Sequence, residues 1–163
     1  MMDLYLQVEE KLNQLNIDYQ IVDHEPALTT ELADEFIEGI EGVRTKTMFL
    51  TDKKKTHYYL LVMEDKKRLD MDLFKAIVGA NKIRMASCES LMEKMLLPPG
   101  VVSPFGLLNN SDHDIQFFID SEIAAEDRMC FHPNTNEKTI FLDTQDLIKF
   151  VKAIGYNVEF IEL

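Results

Sequence analysis

The sequence is poor in cysteine, in basic residues and in long apolar runs. Its 163 residues hold only two cysteines, Cys88 and Cys130, and neither belongs to a CxxC pair. That excludes a zinc site of the usual spacing and favours two free thiols over a disulfide. His24, His57 and His113 lie far apart without metal-ligand spacing, so no metal is expected. There is no GxGxxG or Walker-type loop, so no nucleotide cofactor is expected either. No run of about 18 uncharged apolar residues occurs, which excludes a membrane-spanning helix. The opening MMDLYLQVEE lacks the basic-then-apolar plan of a signal peptide, so a cytoplasmic protein with no membrane partner is expected. Seventeen basic residues face 29 acidic ones, for a net charge of -12. A general nucleic-acid coat, DNA included, needs broad basic surface and is excluded, whereas local contact with an RNA end is not.

Hydrophobic residues make up 46% of the chain, and its mean hydropathy is -0.14. The length suits one domain, residues 1–163, with a substantial core. Leu4, Val8, Leu12 and Leu15 recur at helical spacing and predict a helix over residues 3–16. Further helices are expected after Thr29 or Thr30, between Asp70 and Gly79, after Ser87, and over TQDLIKFVKAIG. Strands are expected in DYQIVDHE, KIRMAS, IQFFID, the segment before His132, TIFLD and NVEFIEL. Residues 42–64, GVRTKTMFLTDKKKTHYYLLVME, read as a β-hairpin. VVSPFGLLN is apolar but carries Pro104, so an edge, a bulge or a site-forming bend is expected rather than a central strand. Tight turns between strand pairs favour an α+β, or mixed α/β, domain with a mixed and partly antiparallel sheet.

Lys46 stands out. Side chains alternate along a strand, so Lys46 shares a face with Met48 and Leu50 and should point toward the interior or its rim. Such a lysine either snorkels or pairs with one of the many acids, or it serves as a cation at a pocket rim. His132 precedes Pro133 at a strand-to-loop junction, where an imidazole is either a surface group or a substrate-orienting one. Cys130 lies two residues earlier, on the same face, about 7 Å away by strand geometry. A thiol–imidazole pair needs closer approach, so a small buried thiol is the default. Ser103 lacks a nucleophile-elbow context, and the Pro104–Gly106 bend reads as backbone shaped for close approach of a ligand. The basic clusters Lys53–Lys55 and Lys66–Arg68 are solvated turns or a small electrostatic landing patch.

Taken in order, VRTKTMFLTDKKKTHYYLLVMEDKKRLD, VVSPFGLLNN and FHPNTNEKTIFL resemble the YbaK/prolyl-tRNA-synthetase-associated editing domains, over residues 4–161. The free-standing branch that resembles deacylases of alanyl-tRNA(Pro) is the nearest. The resemblance implies a largely antiparallel, strongly curved YbaK-like sheet. It also implies hydrolysis of the ester joining a wrong amino acid to the tRNA 3′ end. It assigns essential roles to Lys46 and His132 and substrate contacts to Thr47, Cys130 and the Gly100–Gly106 segment, including Ser103, Pro104 and Phe105. The tRNA's own 2′-hydroxyl would serve as nucleophile, and no cofactor or metal would be required. The mischarged tRNA, and with it prolyl-tRNA synthetase, would be the partners. Thr47 stands where the family commonly has asparagine, Cys130 where a polar residue is usual, and Phe105 and Gly106 where small aliphatic residues are common. A non-catalytic binding module and a cysteine hydrolase using Cys130 are the rival readings.

Overall fold

The computed structural model describes residues 3–163. Short polar side chains start the helices. Asp3 accepts the Tyr5 and Leu6 N–H groups at the head of α1 (Leu4–Gln14), which buries Val8 and Leu12. After β1 (Gln20–Asp23), the Thr29 hydroxyl caps α2 (Thr30–Phe36) through the Leu32 N–H. The expected hairpin follows as β2 (Val43–Asp52) and β3 (Tyr58–Glu64), paired antiparallel. Asp70 and Gly79 bound α3 (Met71–Val78), and Gly79 takes the left-handed φ of 72° that closes a helix. Next come β4 (Ile83–Met85) and α4 (Cys88–Met95), the latter capped by Ser87. The Pro104 segment is neither strand nor bulge but a 3-10 helix, Pro104–Asn109, with Ser103 as its N-cap. Proline suits that first position, because its missing N–H would have no partner there. The chain ends with β5 (Ile115–Asp120), α5 (Ser121–Ala124), β6 (Arg128–Phe131), β7 (Lys138–Asp143), α6 (Thr144–Ala153) and β8 (Val158–Ile161).

Among the described residues eight strands form one mixed sheet, ordered β1-β7-β6-β2-β3-β5-β8 with β4 added to β2. Four strand pairs are antiparallel and three, β2·β6, β3·β5 and β5·β8, are parallel. The central strands are buried on both faces, which is why β3 reads as a continuous apolar run. Phe49, Leu60, Val62, Phe117 and Ile119 enter the larger core with α1, α4 and α6. Their neighbours Leu50, Tyr59, Leu61, Met63 and Phe118 pack beneath Phe74 of α3. Each fully buried Leu or Phe stabilises the fold by about 1.5–3 kcal/mol relative to exposure.

The sheet has one interruption. Along one edge β2 pairs with β3 from Thr45 to Thr51. Along its other edge it pairs with β6 at Val43 and Arg44, then with β4 from Leu50 to Asp52. Among the described residues no strand flanks β2 between these partners. The Thr45 hydroxyl donates to the Cys130 carbonyl at 2.6 Å on one side of the gap. The Ala86 N–H donates to the Phe49 carbonyl at 2.9 Å on the other. Peptide groups alternate in direction along a strand, so the Thr47 N–H and C=O share the direction of Phe49 and face the gap.

Candidate active site

A cavity of about 230 Å³ opens at this gap. Its floor is β2 from Arg44 to Thr47, and α2 forms one wall through Thr30, Ala33, Asp34 and Ile37. Asp65, just past β3, closes one end. Gly100, Val102, Cys130, Phe131, His132 and Thr139 complete the lining. The α2 wall is anchored at its C-terminal end. The His24 ring stacks on Phe36 at 4.8 Å and shares a 2.9 Å hydrogen bond with Thr139. Arg44 donates to the carbonyls of Ile37, Ile40 and Gly42 at 2.7–2.8 Å while its guanidinium lies over the Phe141 ring. Gly42 must be glycine here, since its φ is 148° and a Cβ would meet Phe141 at 2.9 Å.

Lys46 is half-buried and faces the cavity opposite the fully buried Met63. Among the described residues its ammonium has no ion pair or hydrogen bond, in a chain with an excess of twelve negative charges. Lys67, Lys94 and Lys138 all find carboxylates. Thr47 lines the same cavity although alternation sends its side chain to the opposite face. The cavity wraps around a free strand edge, so both faces of β2 reach it.

His132 leaves β6 with its Nδ1 buried and without a partner. Burial is the main cause of its lowered pKa, which keeps the imidazole neutral near pH 7. The following loop is held from below. Asn134 has a φ of 60° and its N–H donates to the His132 carbonyl at 2.8 Å. Its side-chain oxygen accepts from the buried Ser103 hydroxyl at 2.8 Å. The Cys130 thiol donates weakly to the Val43 carbonyl, and burial pushes its pKa up to about 12. At neutral pH it is a thiol, the inert form.

The other end of the cavity is acidic. One carboxylate oxygen of Asp65 is buried without a partner. Burial, with Asp34 and Glu64 alongside, pushes Asp65 up to about 7. Nothing in the sequence singled out Asp34, Asp65 or Arg44. Asp65 begins a polar turn, Asp34 sits in an acidic helix, and their meeting depends on how α2 folds across the sheet.

Residues 24–150 match the model of the aminoacyl-tRNA editing domain. The chain belongs to that family. It is 33% identical over 163 residues to the prolyl-tRNA editing protein ProX of Acetoanaerobium sticklandii, covering 99% of each chain. It is 31% identical to prolyl-tRNA synthetase associated domain-containing protein 1 of Mus musculus, covering 95% of this chain and 94% of that one. A solved structure described as a candidate trans-editing enzyme for prolyl-tRNA synthetase superposes with a TM-score of 0.77 at 18% identity, over 100% of this chain and 99% of that one. That likeness supports the mixed α/β editing-domain fold expected from the sequence.

Within this editing domain the residues singled out from the sequence fall into two groups. Lys46, Thr47, Gly100, Cys130 and His132 line one cavity. Ser103, Pro104, Phe105 and Gly106 do not line it; they are buried in the core that supports it. Ser103 acts on the His132 loop through Asn134. Phe105 packs edge-on against Phe131 and Phe150. A Cβ at Gly106 would lie 2.7 Å from Leu97 and 3.0 Å from Met95, so the close approach there is to core side chains rather than to a ligand. The basic clusters also divide. Lys67 is spent on Asp120, Glu122 and the Leu163 carbonyl. Lys53 and Lys54 stay exposed beside a separate cleft of about 540 Å³ with Lys82 and His57.

Proposed function

We propose that this chain is a trans-editing deacylase that hydrolyses the ester of mischarged tRNA(Pro), with alanine as the amino acid removed. One observation carries the proposal. An unpartnered Lys46 ammonium and a neutral His132 share a small cavity at an open strand edge. An aminoacyl ester is already activated. Its hydrolysis needs a positioned oxygen nucleophile and polar groups where negative charge develops. Lys46 supplies positive charge for the ester oxygen or for the terminal nucleotide that carries it. The Thr47 N–H at the open edge is a further donor. His132, neutral and lining the same cavity, orients the attacking water or the ribose 2′-hydroxyl. No protein nucleophile is invoked, since Cys130 holds its proton.

The size of the cavity suits a small side chain. Excluding one extra methylene by shape alone is worth only about 1–3 kcal/mol, which is why synthetases leave such errors to a second site. The substrate partner is the aminoacylated 3′ end of tRNA, in the cytoplasm where prolyl-tRNA synthetase charges it. With a net charge of -12 the protein holds the tRNA body weakly, and binding falls with added salt.

A panel of tRNAs charged with alanine, serine, cysteine and proline, incubated with one preparation, tests the reading. Loss of alanine from tRNA(Pro) with prolyl-tRNA(Pro) intact supports it. Preference for serine or cysteine would move the substrate within the family. Binding without turnover of any charged tRNA would replace the enzyme with a recognition module.

A further inference from the structure

Thr139 and His24 have no role in the chemistry above, yet they extend the row in which it sits. β6 pairs antiparallel with β7 through Phe131 and Ile140, so the next residues out, His132 and Thr139, lie side by side on one face. Carrying the parallel β2·β6 register two residues past Arg44 and Cys130 brings Lys46 level with His132. On the far side of β7, Val22 of β1 stands opposite Thr139, and His24, two residues on, reaches diagonally across to it. His24, Thr139, His132 and Lys46 thus form one polar row across four neighbouring strands. The direction of its hydrogen bonds is set from the outer end. His24 Nδ1 lies 2.8 Å from the Glu25 carbonyl oxygen, which can only accept. The proton of the neutral ring therefore sits on Nδ1, and Nε2 is an acceptor. The Thr139 hydroxyl, 2.9 Å from Nε2, must donate to it. Its lone pairs are left over. Thr139 is 3% exposed, lines the cavity, and its side chain makes no other hydrogen bond among the described residues. A buried hydroxyl oxygen with both lone pairs unfilled favours a ligand that brings a donor.

We propose that the Thr139 hydroxyl is a second anchor for the attacking oxygen, taking a hydrogen bond from its O–H, and that His24 is the positioning residue that keeps Thr139 an acceptor. The inference rests on the deacylase reading and deepens it. An attacking oxygen bound by His132 alone swings about that one hydrogen bond. A second partner, one strand away, removes that freedom and aims an oxygen lone pair at the ester carbon. Thr139 suits the task because it offers only an acceptor. With its own proton committed to His24, it cannot donate to the attacking lone pairs and blunt them. Phe36 stacks on the His24 ring with 10° between the planes, which keeps Nε2 aimed at Thr139. Lys46 stands on the other side of His132, where it meets the charge that develops on the ester oxygen. Nothing in the sequence marks Thr139, an ordinary β-branched residue of a strand, and its partner His24 is 115 residues away.

Single-turnover hydrolysis of alanyl-tRNA(Pro), with protein in excess, separates binding from chemistry. Thr139→Val keeps the shape and removes the oxygen. Its limiting rate at saturating protein is expected to fall at least about tenfold, while the half-saturating concentration stays within about twofold. Thr139→Ser restores the oxygen and is expected to recover the rate to within about threefold of the wild type. His24→Phe keeps a ring against Phe36 but gives the Thr139 proton no acceptor, and its limiting rate should fall in the same way. His24→Gln offers an amide oxygen for that proton and should lose less. The double variant His24→Phe/Thr139→Val should be no slower than Thr139→Val alone, because His24 acts only through the hydroxyl. Urea midpoints on the same preparations establish that each variant is folded, and the two His24 variants carry the comparison if Thr139→Val does not fold. A folded Thr139→Val with the wild-type limiting rate overturns the proposal, as do single-variant losses that add in the double. A wild type inactive on every mischarged tRNA overturns the deacylase reading and this proposal with it, whereas an active wild type matched by Thr139→Val overturns the proposal alone.

Discussion

Ser103→Ala tests whether the core beneath the cavity holds the His132 loop. The hydroxyl donates to Asn134 Oδ1 at 2.8 Å and accepts the Phe105 N–H at 3.2 Å. Ser103 is 0% exposed and Asn134 5%. Truncation therefore leaves an amide oxygen and a backbone N–H buried, next to an Asn134 Nδ2 that already lacks a partner. Each such orphaned group costs about 1–3 kcal/mol. The longer bond to Phe105 is a helix cap and belongs at the low end, so the total is about 2–4 kcal/mol. For a chain of this length that corresponds to a fall in Tm of about 5–10 °C. Urea unfolding followed by circular dichroism measures it, with the midpoint falling and the slope unchanged. A loss below about 0.5 kcal/mol, the ordinary level of a surface substitution, would refute the reasoning.

Three other substitutions probe separate parts of the site. Asp65 carries a proton in the folded state between about pH 4 and 7 that the unfolded chain has released, so its burial erodes stability as the pH rises through that window. Asp65→Asn is expected to unfold at higher urea than the wild type at pH 8, by about 1–2 kcal/mol after solvent screening, with no gain at pH 4 or below. Equal stability at both pH values would contradict the cause assigned to that shift. A thiol alkylator at pH 7.5 should modify the exposed Cys88 and leave Cys130, and Cys130→Ala should keep deacylation within about tenfold, short of the loss expected for a nucleophile. Rapid inactivation traced to Cys130 would revive the cysteine-hydrolase reading. Gly106→Ala forces a methyl against Leu97 and Met95 and should cost about 1–3 kcal/mol of stability. A fully stable variant that fails only in tRNA hydrolysis would return Gly106 to the cavity wall.

Much of the architecture could be read from local chemistry. Alternation fixed the β2–β3 hairpin, and Asp70 and Gly79 marked both ends of α3. Lys46 was conspicuous because a cation inside an apolar strand violates the pattern around it. Pro104 correctly warned against a central strand, yet the pattern could not separate a ligand-facing bend from a 3-10 helix buried beneath the site. The same limit misplaced Gly106, since a demand for close approach does not say what approaches. Lys67 read as free surface charge, and its pairing with Asp120 and Glu122 depends on sheet order. Asp34 and Asp65 were hidden for a like reason. Each is an ordinary polar residue locally and becomes unusual only where tertiary packing removes its water.

The most direct test of the role given to Lys46 is single-turnover hydrolysis of alanyl-tRNA(Pro) by wild type and Lys46→Ala. The wild type should release alanine well above the uncatalysed rate. The variant should fold normally and lose activity by at least about 100-fold, the scale of removing one group that stabilises developing charge. Equal rates in the two proteins would contradict the central role of the Lys46 ammonium.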